Sequence, residues 1–202
     1  MKLMIAIPTL DYIHRKFVES LTGLTKNLAS LGIDFDVCYE GCTRVYISRD
    51  NLVKRAVEGN YDWILWLDAD MVFEPDIFGK LFECRNETEF VTGMYKGRHG
   101  SGMPCIFDKL EPPKRWEEFK YSDKPLLIEG CGFGCALTSV NMCDDILNEN
   151  GTCFTPTPSL GEDLAFCKRA KNLGYPLYVR TDISIGHIAQ TILWNNKEDE
   201  RM

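Results

Sequence analysis

Apolar positions in the first third of the chain alternate between short continuous runs and helical repeats. "KLMIAI" (2–7) is an unbroken apolar run ended by Pro8, as expected of a short strand buried on both faces. From about 14 to 30, Phe17, Leu21, Leu24 and Leu28 recur at the three-and-four spacing of one helix face, and Gly32 follows as a stop. "IDFDVCY" (33–39) predicts a second strand. Residues 44 to 58 carry Val45, Leu52, Val53, Ala56 and Val57 at helical spacing and end at Gly59. "YDWILWL" (61–67) is a third strand, apolar on both faces. Strand, helix, strand, helix, strand predicts a doubly wound α/β sheet, mostly parallel, with helices on both sides.

The second half is less regular. "EFVTGMY" (89–95) predicts a strand. Residues 109 to 125 are polar and proline-rich and read as an excursion over the surface. "LLIEGCGFGCALTS" (126–139) is strand-like with a glycine-rich turn. Residues 160 to 173 predict a helix closed by Gly174 and Pro176. "PLYVRTDISIGHI" (176–188) predicts one or two strands, and the tail from Gln190, charged at its end, is expected to fray. At 202 residues the chain fits one domain, able to bury close to 70% of its unfolded surface.

Charge and cysteines narrow the partners. A formal net charge of −7 argues against a nucleic-acid backbone, which needs a basic surface. It leaves room for an anionic small molecule, since a local cation can invert the sign of one cleft. No segment reads as a signal peptide, and no run approaches the roughly eighteen apolar residues of a membrane span. The expectation is a chain free in the cytoplasm or peripheral at a membrane. Its nine cysteines are then reduced thiols, and the sequons at Asn86 and Asn150 carry no weight. Cys131 and Cys135 could suggest a zinc pair, but no second Cys/His pair stands at the spacing of a structural site.

Candidate chemistry begins at "DWILWLDADMVFEPD" (62–76), an apolar run ending in Asp68 and Asp70. Carboxylates are costly to bury unless compensated. Either they sit in water past a strand end, or a cation sits with them. In extended chain, residues two apart face one way at roughly 6.6 Å. Like charges about 4 Å apart repel by roughly 4 kcal/mol at an effective dielectric of 20, and a divalent cation removes that repulsion. All-oxygen ligation favours magnesium or manganese. Glu162 and Asp163 open a helix, where the dipole alone favours acids by about 0.3–1 kcal/mol. His187, in "SIGHI", reads by itself as a core histidine.

Taken in order, "IAIPTL", "SRDNLVKRA", "YDWILWLDADMVFEPD", "GEDLAFCKRAKNLGYPLYV" and "IGH" resemble the GT-A glycosyltransferases, in particular family 2 and its relatives. The resemblance runs from about residue 3 to 188. It implies a single GT-A type domain with a Rossmann-like sheet and a small acceptor-side β subregion. Residues 1–95 would form the nucleotide-sugar-binding half, 96–188 the acceptor and catalytic half, and 189–202 a tail. By the same resemblance Pro8 and Thr9 lie beside the nucleotide, Glu40 near the base, and Arg49 and Asn51 toward the diphosphate. Asp68 and Asp70 match the metal and ribose carboxylates, Asp163 the catalytic base with Glu162 beside it, and His187 a further metal ligand. The donor would be a nucleoside-diphosphate sugar, the cofactor Mn2+ or Mg2+, and the acceptor a hydroxyl of a saccharide, lipid-linked sugar or protein. Two departures stand out: Glu40 replaces a common aspartate, and the long C-terminal extension of many relatives is missing.

In that frame, metal and Arg49 would stabilise charge developing on the diphosphate. Asp163, with its proton affinity raised by nearby Glu162, would take the acceptor proton in a single displacement that inverts the anomeric centre, although the fold also admits a retaining outcome. Lys96, Gly97, Arg98, Gly100 and Gly102 combine cations with flexible backbone, as a lid over a diphosphate requires. A nucleotidyltransferase should instead carry a glycine-rich basic loop after the first strand, and "IPTLDYIHRK" has no glycine. A glycoside hydrolase could use paired carboxylates but needs no D-x-D. A non-catalytic nucleotide-sugar-binding relative would have no reason to keep Asp68, Asp70, Asp163 and His187 together.

Overall fold

Alternation along β1 (Lys2–Pro8) sets the two sides of the molecule. The computed structural model describes residues 1–10, 12–98, 102–118 and 120–189, and the backbone of 192–194. Leu3, Ile5 and Ile7 point to one face, where Phe17, Leu21, Leu24 and Leu28 of α1 (Arg15–Ser30) cover them. Ile77, Phe78 and Leu81 of α3 (Ile77–Phe82) join that layer. Met4 and Ala6 point to the other face, against Leu52, Val53 and Ala56 of α2 (Val45–Glu58). On this side also lie α4 (Val140–Asn150) and α5 (Glu162–Asn172). Each fully buried Leu or Phe contributes about 1.5–3 kcal/mol, so both helical layers are held mainly by these stripes.

The central sheet has seven strands in the order β2-β1-β3-β10-β5-β11-β8. They are β2 (Asp34–Glu40), β3 (Trp63–Leu67), β5 (Phe90–Gly93), β8 (Leu126–Ile128), β10 (Cys135–Ser139) and β11 (Leu177–Arg180), with β1. Five strands run one way; β10 and β8 run against them. The sheet is thus mixed α/β and mostly parallel, with helices on both faces, and β2 and β8 are its edges.

Two three-stranded sheets sit beyond it. One pairs β4 (Met71–Phe73) and β13 (Ile192–Trp194) on either side of β12 (Ile185–Ile188). The other pairs β7 (Pro113–Arg115) and β9 (Gly130–Cys131) with β6 (Ile106–Leu110). The segment read as a surface excursion therefore contains part of a hairpin, anchored by buried Ile106 and Leu110. The single strand-like stretch at 126–139 divides into β8, β9 and β10, which serve two sheets. The pattern also did not announce β4, α3 or α4. Apart from the backbone of 192–194, which pairs with β12, the tail from Gln190 lies outside the described residues, as does Gly100 of the proposed lid. All nine cysteines are unpaired and eight are buried, Cys131 and Cys135 among them. Among the described residues no helix is long and apolar enough to cross a membrane.

Candidate active site

The acidic pair stands on a turn rather than on a strand. β3 ends at Leu67, and Met71 N–H closes a tight turn on the Asp68 carbonyl at 3.1 Å. The same-facing geometry of extended chain therefore does not apply, and the two carboxylates take different partners. Asp68 Oδ1 accepts from Arg49 Nη2 at 3.0 Å. Asp70 Oδ2 pairs with Arg98 at 2.8 Å and stands 3.5 Å from His187 Nε2. Asp70 Oδ1 is buried with no hydrogen-bond partner among the described residues.

Arg49 ties this turn to α5. It is 2% exposed on the inner face of α2, over the rings of Phe133 and Phe154. Its Nη1 bonds Asp163 Oδ1 and stands 3.7 Å from Glu162, while Nη2 holds Asp68. Burial pushes the guanidinium toward the neutral form, but the three carboxylates outweigh it and raise its proton affinity. The next residue, Asp50, accepts from the Thr152 hydroxyl and from the N–H groups of Cys153 and Phe154. Consecutive residues of one helix thus fix both the acid of α5 and the loop leading into it.

Asp163 sits in the first turn of α5 behind Gly161, and Phe133 N–H donates to its Oδ2 at 3.3 Å. Burial pushes its carboxyl up to about 6 against the pull of Arg49, with Glu162 and Asp68 adding repulsion. The expected rise is present, but burial, not the neighbouring acid, is its first cause. Burial also raises Asp68, over the opposing charge of Arg49. At Asp70 burial is outweighed by His187 and Arg98, and the carboxyl titrates low.

His187 Nδ1 lies 2.8 Å from the Lys96 carbonyl, which can only accept, so this nitrogen carries a proton. A protonated ring faces Asp70 with Nε2–H, the form that holds that carboxyl low, whereas in a neutral ring Nε2 presents a lone pair toward it. Two acceptors facing each other call for a cation or proton between them, and a histidine bound by its other nitrogen to a carbonyl is the usual arrangement of a metal ligand. Tyr95 stacks edge-on against this ring at 5.4 Å and takes the Gly134 N–H on its hydroxyl at 2.9 Å. A Cβ at Gly134 would lie 2.9 Å from that hydroxyl and at Gly132 2.3 Å, which is why the turn is glycine-rich. Among the described residues no three His, Cys, Asp or Glu side chains form a ready-made metal cage. Magnesium-type sites seldom have one; a carboxylate or two plus substrate phosphates complete them. The unpartnered Asp70 oxygen and the His187 lone pair fit such a site.

Two cavities meet here. The larger, about 740 Å³, is lined by Pro8, Tyr12, Arg49, Asp68 and Asp70 among others. The smaller, about 310 Å³, is lined by Tyr95, Phe107, Arg115 and His187 among others. Arg98, Glu162 and Asp163 belong to both walls. Of the residues singled out in the sequence, Pro8, Arg49, Asp68, Asp70, Glu162 and Asp163 come together in the larger cavity and His187 in the smaller. Thr9, Glu40 and Asn51 do not line either: Thr9 N–H bonds the Glu40 carbonyl at 3.0 Å, and Asn51 donates to the Glu40 carboxylate at 3.0 Å. Tyr95, Phe133 and Arg115 were not anticipated.

No family model and no curated protein matches the chain. Solved structures do. The A197 protein from STIV aligns at 20% identity and TM-score 0.64, over 93% of this chain and 86% of its own. The catalytic domain of Drosophila β1,4-galactosyltransferase 7, solved with xylobiose, aligns at 15% and 0.56, over 99% and 73%. TarS 1–349 from S. aureus aligns at 13% and 0.51, over 96% and 60%. At these identities the likeness is one of fold, a GT-A-like α/β architecture.

Proposed function

We propose that this chain is a metal-dependent glycosyltransferase, moving a sugar from a nucleoside-diphosphate sugar to a hydroxyl acceptor by direct, inverting displacement. One observation carries the reading: Asp163, a carboxyl with raised proton affinity, stands on the wall shared by a nucleotide-sized cavity and a smaller one. The likeness of fold to the catalytic domain of Drosophila β1,4-galactosyltransferase 7 supports it.

Donor in the larger cavity and acceptor in the smaller would meet at this wall. The acceptor hydroxyl gives its proton to Asp163, and its oxygen bonds the anomeric carbon. The bond from that carbon to the diphosphate breaks, and its electron pair leaves with the diphosphate. Arg49, on the wall of the larger cavity, holds Asp163 and Asp68 in register. Asp70 and His187, with Asp68 beside them, would hold Mn2+ or Mg2+, which supplies charge neutralisation at the leaving group. Arg98 lines the same cavity and adds a cation to it.

Titration calorimetry with UDP and GDP, in manganese and then in chelator, tests the metal role, and a panel of nucleotide sugars scored for nucleotide release tests the chemistry. The expected result is metal-dependent binding and turnover of at least one donor. Equal affinity in chelator, with no donor turned over, would overturn the reading.

A further inference from the structure

Three arginines surround the paired cavities, and two are committed to carboxylates: Arg49 to Asp68 and Asp163, Arg98 to Asp70. The third, Arg115, has no carboxylate within ion-pair distance among the described residues, yet it lines the smaller cavity. It ends β7, opposite Phe107 of β6 in the antiparallel register. Its guanidinium carbon lies 5.5 Å from the centre of the Phe107 ring. From there the side chain reaches over Gly97, where an added Cβ would come within 3.1 Å of Nη1. The guanidinium of this exposed arginine thus lies close over the backbone at 97, on the rim of the smaller cavity. The buried Cys105 thiol beside it, pushed up by burial to about 11, has Arg115 as the charge pulling the other way.

The smaller cavity therefore has an unspent cation on one wall, the carboxyls of Glu162 and Asp163 on another, and the rings of Phe107 and Tyr95 between. A neutral sugar would leave the guanidinium with only the Phe107 ring and water as partners. A guanidinium, with its planar fork of donors, is suited to a carboxylate or a phosphate. At about 310 Å³ the space is at the small end of ligand pockets and suits about one monosaccharide.

We propose that this cavity selects an acceptor bearing an anionic group, a sugar carboxylate or sugar phosphate, which Arg115 receives while a hydroxyl of the same sugar faces Asp163. The part played by Asp163 rests on the transferase reading; the anion site does not.

Calorimetry or ligand-observed NMR on the full chain tests it directly, with glucuronate, glucose 6-phosphate and glucose as probes. The substitutions are Arg115→Ala and Arg115→Lys, at an exposed position outside the core. Charge-assisted hydrogen bonds of this kind make at least about a tenfold difference in affinity. At least one anionic sugar should bind that much tighter than glucose to the wild type. The preference should vanish in Arg115→Ala and partly return in Arg115→Lys, with affinity for UDP and manganese unchanged. Which of the two anions binds tells carboxylate from phosphate. Equal binding of all three sugars, no binding by either anion, or an anion preference that survives Arg115→Ala would each overturn the proposal. A chain that shows the Arg115-dependent preference but turns over no nucleotide sugar would support the anion site and remove the transferase reading.

Discussion

The two cavities share a wall but are built in opposite ways. The larger opens at the ends of regular parallel strands: Pro8 closes β1, Asp68 follows β3, and Arg49 rides the helix between β2 and β3. The smaller is assembled from pieces far apart in sequence, with Gly97 and Cys105 from a loop, Phe107 and Arg115 from a hairpin, and Gly132 from a tight turn. Strand ends in an α/β sheet have positions dictated by the core beneath them, so a site placed there inherits its rigidity. Loops and short hairpins are held by fewer contacts and vary more readily. In a transferase, that division would place the common donor on the framework and the particular acceptor on the part free to change.

Arg49→Ala should break the comparison altogether, because it removes the cation from the common wall. Two partly buried carboxylates, Asp68 and Asp163, would then face each other without compensation. Stripping one member from a buried ion-pair group costs about 3–5 kcal/mol. Urea denaturation should show a loss of that size, with nucleotide binding impaired as well. A loss under about 1 kcal/mol would mean the arginine is not what ties the cavities together.

Asp163→Asn should separate the two sides instead. Transfer is expected to slow by roughly 10²–10⁴-fold while metal-dependent nucleotide affinity stays near wild type. The wild-type rate should also fall as the pH drops through about 6, since a base must be unprotonated and burial holds this carboxyl up to about 6. Arg49, Glu162 and Asp68 are the charged groups that set that value. Near-normal transfer by the variant, or a flat profile across this range, would return Asp163 to a structural role at the start of α5.

Arg98→Ala should produce the smallest change and sharpen the contrast at its edge. Arg98 is half exposed and holds Asp70 in an ion pair of the kind typically worth about 0.2–1 kcal/mol. Without it, manganese no longer competes with a tethered cation, and affinity in the absence of nucleotide should rise up to about fivefold. Titration followed by manganese paramagnetism measures this; a drop in affinity would make Arg98 a partner of the metal site rather than its competitor.

Much of the framework was legible in sequence because whole faces repeat. The stripe from Phe17 to Leu28 and the apolar runs of β1 and β3 leave few alternatives. Helix α4 was harder, although its signals are there in hindsight: the Ser139 hydroxyl caps it by accepting from Met142 N–H at 3.0 Å, and Gly151 ends it in the left-handed region at φ 71°. The six residues of α3 are too few for a period to show. At the site, residue types could be read but directions could not. Nothing in "DAD" says that a turn will send Asp68 toward Arg49 and Asp70 toward His187. Nor does "SRDN" say that its arginine will be enclosed by acids. Arg115 lies in a polar stretch with no periodicity, and only tertiary contact with Phe107 and Gly97 gives it a direction.

The acidic edge of the central sheet has a consequence for self-association. An outer strand offers backbone donors and acceptors to any passing strand and is a standing invitation to polymerise. β2 meets that hazard with Asp34 and Asp36, both exposed on a seven-residue edge. A second copy docking antiparallel along β2 would bring carboxylates against carboxylates before its hydrogen bonds could form. At the far edge, β8 exposes Leu127 but runs for only three residues, too short to template a partner. Charge closes the sheet at one end and brevity at the other, so neutralising positions 34 and 36 would leave β2 free to pair with the same strand of a second copy, a contact that closes as a two-fold dimer, without moving any group of the two cavities.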